Sequence, residues 1–244
     1  MRSQTKKKYI VFMLLTAGVV FTLTSLARHH NRQNPTTPSS SFSDHTQRSG
    51  NESNQNGKFD YYLLSLSWSP AFCLLNSDRA PEEQCGTKRF GFIVHGLWPQ
   101  YQQGYPSDCD LNPPSIPETV TQEVLPIMPS RDLIRHEWQK HGTCSGLSVT
   151  DYFRNIEKAY ASVNIPPELK LLQTPLRIAP SEIADRFMQS NQNLPVNSTI
   201  VNCKNGKLTQ IEICMDKALK PITCSFDVLK SQCKSQTVLI PPLR

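Results

Sequence analysis

The stretch "IRHEWQKHGTCS", residues 134–145, places two histidines, a glutamate, a lysine and a cysteine within twelve positions. Such residues can bind a metal, exchange protons, or simply form a charged helical surface. Successive helical residues turn by about 100°, so Glu137 and His141 lie about 40° apart, as do His136 and Lys140. All four fall within an arc of about 140°, with Ile134 and Trp138 turned towards a core. A zinc-protease helix needs H-E-x-x-H, two histidines four apart on one stripe. Here the histidines are five apart, and Lys140 stands where the second one would be. A lysine cation repels a divalent metal, so spacing and charge both reject the zinc reading. The set does suit a phosphoryl centre. Glu137 can accept from or orient His141, while His136 and Lys140 offer donors and positive charge to an anion. A solvated face of i, i+4 ion pairs is the plain alternative for this stretch alone.

A second stretch, "GFIVHGLWPQ" at residues 91–100, decides between them. Phe90, Phe92 and Val94 alternate with Gly91, Ile93 and His95, so both faces are largely apolar. That pattern predicts a central strand with His95 at its C-terminal end, opening into Gly96, Trp98 and Pro99. Beyond residue 57 the chain has three histidines, and all lie in these two stretches. Trp98 offers a flat face on which a nucleobase could stack. Two imidazoles from different elements, supported by a lysine and a glutamate, make the acid–base pair needed for in-line attack of a 2′-hydroxyl on phosphorus.

The elements that must position these groups are legible in outline. "FDYYLLSLSW" predicts a strand over 59–67. Leu133, Ile134 and Trp138 predict a helix that stops near Gly142, and Ser148-x-x-Asp151 caps a second helix. A third, shorter helix is expected after Ser181. "STIVNC" and "KLTQIEICM" predict a β-hairpin turning at Asn205-Gly206. Strands and helices do not alternate regularly, which places the chain in the α+β class.

The rest of the chain speaks for export. Lys6, Lys7 and Lys8 precede a run without charge from Tyr9 to Leu26, closed by Ser25-Leu26-Ala27. This reads as a signal peptide over 1–27, or as a signal anchor if it is left uncleaved. Residues 28–57 are polar, carry His29, His30 and His45, and read as a disordered spacer. The folded domain is then 58–244. All eight cysteines lie in it, none in a C-x-x-C pair, which favours four disulfides in an oxidising compartment. The net charge is +6, but Arg2, Lys6, Lys7 and Lys8 supply four of those charges ahead of Ala27. The remaining +2 is too little for binding nucleic acid by bulk charge. Asn51-Glu52-Ser53 and Asn197-Ser198-Thr199 match the glycosylation pattern, which matters only in a eukaryotic secretory pathway.

"FIVHGLWPQ" and "RHEWQKHGTC" resemble the two active-site segments of the ribonuclease T2 family of exported endoribonucleases, and "LLSLSWSPAFC" at 63–73 resembles its N-terminal strand and first cysteine. The resemblance covers essentially all of 58–244 and implies an α+β fold, an antiparallel-rich central sheet flanked by helices in one disulfide-stapled domain. It implies that His95 and His141 share the acid and base roles, with His141 the base and His95 the acid. Glu137 would orient or polarise the base, Lys140 would stabilise the phosphorane, His136 would bind phosphate, and Trp98 would stack on a base. Gln100 stands where some fungal members carry an acid that helps choose the base, so base preference is open. The expected disulfides are Cys73–Cys85, Cys109–Cys144, Cys203–Cys233 and Cys214–Cys224. The expected reaction turns single-stranded RNA into a 2′,3′-cyclic phosphate and then a 3′-phosphate. The nucleophile belongs to the substrate, so no metal, no cofactor and no cleavage of DNA are expected. The implied enzyme is a monomer, secreted or periplasmic, at a membrane only if residues 9–26 are retained. Two other readings stay open: a non-catalytic RNA-binding relative and a membrane-anchored surface member of the same fold.

Overall fold

In the computed structural model, which describes residues 56–243, the sheet is organised by a strand buried along its whole length. The elements are β1 (Tyr61–Trp68), α1 (Ser69–Leu75), α2 (Glu82–Cys85), β2 (Phe92–Gln100), α3 (Glu118–Val124), α4 (Arg131–Lys140), a 3-10 turn (Gly142–Cys144), α5 (Val149–Ala161), α6 (Pro167–Lys170), β3 (Leu176–Ile178), α7 (Pro180–Ser190), β4 (Thr199–Lys204), β5 (Lys207–Met215), α8 (Phe226–Leu229) and β6 (Val238–Ile240). β1 pairs antiparallel with β2 on one side and β5 on the other, and β5 also takes β4. β3 pairs antiparallel with β6, which meets β5 in parallel at Lys207 and Leu239. The sheet is therefore mixed and rich in antiparallel pairs, as expected.

Side-chain alternation gives β1 two apolar faces. Tyr62, Leu64, Leu66 and Trp68 enter the main core, where Ile134 of α4, Phe153 of α5 and Ile183 of α7 meet them. Tyr61 and Leu63 point the other way, into a smaller core with Ile200, Cys214 and Cys224. Each fully buried aliphatic side chain in these layers stabilises the fold by roughly 1.5–3 kcal/mol relative to exposure.

Local signals hold where they are strong. Ser148 accepts from the Asp151 amide and donates to its carboxylate, capping α5. Ser130, which the sequence reading overlooked, caps α4 by accepting from the Leu133 amide. Asn205 and Gly206 both have positive φ, at 50° and 68°, as the tight hairpin turn requires. Two expectations are corrected. The third helix, α7, starts at Pro180 rather than after Ser181, and its 11 residues make it no shorter than α4 with 10. Proline fits there because the first helical turn has no use for its missing N–H. The strand carrying His95 does not end at His95 but runs on to Gln100.

The segment 1–27 and the spacer, up to residue 55, lie outside the described residues. The spacer's last residue, Gly57, is anchored by donating its amide to the Cys144 carbonyl at 3.0 Å.

Disulfides join Cys73 to Cys85, Cys109 to Cys144, Cys203 to Cys233 and Cys214 to Cys224, the four pairings that the family resemblance implies. Cys109–Cys144 spans 35 residues and fastens the loop after β2 to the turn after α4. Replacing both of these cysteines with alanine should cost about 2–4 kcal/mol, because the unfolded chain regains the freedom of a long loop. Urea unfolding measures this, and an unchanged midpoint would contradict it.

Candidate active site

Regular strand alternation would put His95 and Trp98 on opposite faces of β2. The pairing with β1 shows why they share one. Ser65 faces Gly96 and Leu66 faces Val94, so His95 is an extra residue in a β-bulge. The bulge reverses the alternation beyond it. Phe92, Val94 and Leu97 all enter the main core, while Trp98 packs against the smaller one. The His95 and Trp98 rings come within 5.2 Å of each other, centroid to centroid. Bulges of this kind re-aim side chains beside functional sites.

The α4 side of the site closes on this strand through Glu137, which is only 1% exposed. Trp98 Nε1 donates to Glu137 Oε2 at 2.6 Å, and Glu137 Oε1 lies 3.5 Å from His95 Nε2. Gly96 lies under this contact, where an added Cβ would run into both the carboxylate and the indole nitrogen. Behind it, the Tyr152 hydroxyl of α5 donates to the Leu97 carbonyl at 3.0 Å. Helix and strand are thus fixed to one another through hydrogen bonds on both sides of residues 96–98.

His141 completes the group from beyond the end of α4. Its ring lies 5.2 Å from Trp98, so the one indole is near both imidazoles. Its Nδ1 is buried without a hydrogen-bond partner. The expectation that Glu137 supports His141 is corrected here, since the carboxylate meets Trp98 and His95 instead. The physical reason is the helix end. His141 keeps its amide bond to the Glu137 carbonyl, but as the C-cap residue its φ of −117° swings the side chain off the helical stripe. His136 is exposed and Lys140 half-buried, and the charges of both bear on both imidazoles. Gln100 lies on the face of Trp98, buried at the end of β2.

The electrostatics are those of a site awaiting an anion. Burial, then the charges of His136 and Lys140, lowers His95 to about 4. Burial, then Lys140, His136 and His95, lowers His141 to about 3. Burial raises the Glu137 carboxyl to about 8, against the pull of the Trp98 N–H and Lys140. Burial makes each group resist its charged form, and a phosphate bound here would add a negative charge that favours both imidazolium ions. The side chain of His95 keeps 35% of its surface open, so protons and ligands can reach it.

Two features were missed in the sequence. Tyr105, an exposed aromatic with 54% of its surface open, has its ring 6.0 Å from His141. Its only signal was an aromatic residue in the polar loop after β2, which it shares with Tyr101. On the far side of His95 opens a cleft of about 230 Å³, lined by apolar Phe72, Ile93 and Leu133 and by the amides of Asn76, Gln84 and Gln210. Those residues come from four separate parts of the chain, so no local pattern announces them.

The Ribonuclease T2 family model matches residues 59–224. A ribonuclease of Aeromonas hydrophila is 51% identical over 96 residues, which are 39% of this chain and 42% of that protein. A probable ribonuclease of Haemophilus influenzae is 30% identical over 185 residues, 70% of this chain and 63% of that one. The chain therefore spans less than two thirds of either relative's length. Among solved structures, the RNase-related protein from Calystegia sepium superposes with a TM-score of 0.62 at 24% identity, covering 76% of this chain and 98% of that one. The family match spans both histidine segments, with the strand and the helix that carry them, and the chain belongs to the ribonuclease T2 family.

Proposed function

We propose that the protein is an endoribonuclease that cleaves single-stranded RNA by transphosphorylation without a metal. The observation that carries this reading is the pair of imidazoles gathered at one indole, each 5.2 Å from it, with the buried Glu137 carboxyl against one of them. One imidazole takes the proton of the 2′-hydroxyl as O2′ attacks phosphorus. The other gives its proton to the leaving O5′, which yields a 2′,3′-cyclic phosphate. Water then reverses the roles and opens the ring to a 3′-phosphate. Glu137 favours His95 as the proton donor, because an imidazolium 3.5 Å away and an ionised Glu137 would stabilise one another against the burial that raises the carboxyl to about 8. His141, whose buried Nδ1 has no acceptor nearby, resists the cation and suits the base. Lys140 and His136 supply positive charge for the phosphorane, which removes the need for a metal. DNA lacks the nucleophile and should not be cut.

Bases have places on both sides of this centre. Tyr105 and Trp98 offer aromatic surface beside His141, and the apolar cleft beside His95 is bordered by the amides of Asn76 and Gln84, which can reach a base edge, while the Gln210 amide is taken up by His95. Export is proposed from the four disulfides together with the basic and apolar N-terminal run.

Cleavage of RNA should survive excess EDTA, and His95→Ala or His141→Ala should lose about 10²–10⁴-fold in kcat. Wild-type-like rates in either variant would overturn the assignment of that histidine, and an absence of cleavage by the wild-type protein would favour the binding-only alternative. The pH profile should be bell-shaped and centred on the acid side of neutrality. One imidazole must hold a proton while the other is free. Both lie below the ordinary value of 6.5, so the protonated donor is lost as pH rises. A rate that climbs steadily to pH 10 would contradict this assignment. Tyr105→Ala should raise KM with a smaller effect on kcat, by a loss of stacking of roughly 1–3 kcal/mol. Unchanged kinetics on short oligonucleotides would remove Tyr105 from the base-binding surface.

A further inference from the structure

The ring of His95 is held on its second nitrogen by a residue that neither histidine segment contains. Gln210 on β5 meets His95 Nδ1 through its side-chain amide nitrogen, while Nε2 faces Glu137. Gln210 reaches the ring because the sheet brings it there. It pairs with Ser67 of β1, beside the bulge that carries His95. A second irregularity, at Thr209 opposite Asn202 and Cys203, turns Gln210 onto the His95 face along with Glu212 and Cys214.

We propose that Gln210 is the positioning residue of His95, one that holds the imidazole in a single orientation through both of its charge states. A glutamine can do this where few side chains can. Its amide N–H₂ donates to Nδ1 of the neutral ring and leaves the ring proton on Nε2. After a half-turn of the amide, its carbonyl accepts from the Nδ1–H of the imidazolium. A ring that must change charge in every cycle thus keeps its aim without being biased towards either form. The other charged groups facing His95 are His136, Glu137 and Lys140 of α4 and His141 beyond it, with Glu212 further along β5 and Lys204 of β4 across the cleft. All of them act through space or on Nε2, which leaves Nδ1 to Gln210.

The inference rests on His95 transferring a proton, and its test separates the two claims. Gln210→Glu adds a fixed negative charge at Nδ1 and should raise the His95 pKa by about one unit or more. NMR titration of the His95 imidazole reads that shift without any turnover. One limb of the pH–rate profile should move upwards with it: the alkaline limb if His95 is the acid, the acid limb if it is the base. Gln210→Met, close in volume, should lower kcat by roughly 10–100-fold, the scale at which orienting partners of histidines act. KM and thermal stability should stay near those of the wild type. A Gln210→Glu protein with an unmoved His95 titration would overturn the proposal. So would a Gln210→Met protein that loses only KM, since Gln210 would then merely line the cleft. Full activity in His95→Ala would instead remove the reading beneath it, whatever Gln210 does to the titration.

Discussion

The site depends on a carboxylate placed where a carboxylate is expensive. Glu137 is almost wholly buried between α4 and β2, and its two oxygens are spent on the Trp98 N–H and on His95. A buried carboxyl without partners would cost several kcal/mol, so its partners must be in place whenever the fold is. That makes the contact a lock. The helix cannot dock with Glu137 satisfied unless the strand presents Trp98 on the correct face. The strand can do so only because of the bulge at His95 and the absence of a side chain at Gly96. Stability and chemistry therefore constrain the same few residues.

The same contact accounts for the order in which protons can move. Both imidazoles are held below their ordinary range, and Glu137 above its own, chiefly by burial. In the proposed reaction, substrate phosphate would reverse that balance by bringing negative charge to where Lys140 and His136 already act. Binding and proton uptake are then coupled, and the imidazole next to Glu137 gains most from it. One histidine has a carboxylate neighbour and the other an unsatisfied nitrogen, so two chemically identical groups are driven towards different roles.

Much of this was legible in the sequence, and the failures are instructive. The helix over 131–140, the hairpin at Asn205-Gly206 and the cap at Ser148 each rest on local chemistry, and local chemistry survives folding. The two histidine segments were legible as a pair because their residue types make sense only together. The Glu137–His141 relation was not, because it assumed regular helix geometry at the C-cap, where φ departs to −117° and the ring lies beside Trp98 and Tyr105. The shared face of His95 and Trp98 was hidden by a bulge, a feature of strand pairing that no period-two pattern reveals. Gln210, Tyr105 and the cleft beside His95 were invisible for a related reason. Their place in the site is created by contacts between distant parts of the chain, and the disulfide pairings likewise came from the family resemblance rather than from spacing.

The central claim is that the substrate's own 2′-hydroxyl is the nucleophile, activated by one imidazole while the other serves the leaving group. The most direct measurement uses an RNA strand with a single 2′-deoxy nucleotide, digested in EDTA, with every product end identified by mass spectrometry. The account predicts cuts after ribonucleotides alone, no cut after the deoxy position, and 2′,3′-cyclic phosphate ends that pass to 3′-phosphates. Cleavage after the deoxy nucleotide, or products ending in 5′-phosphate, would contradict it.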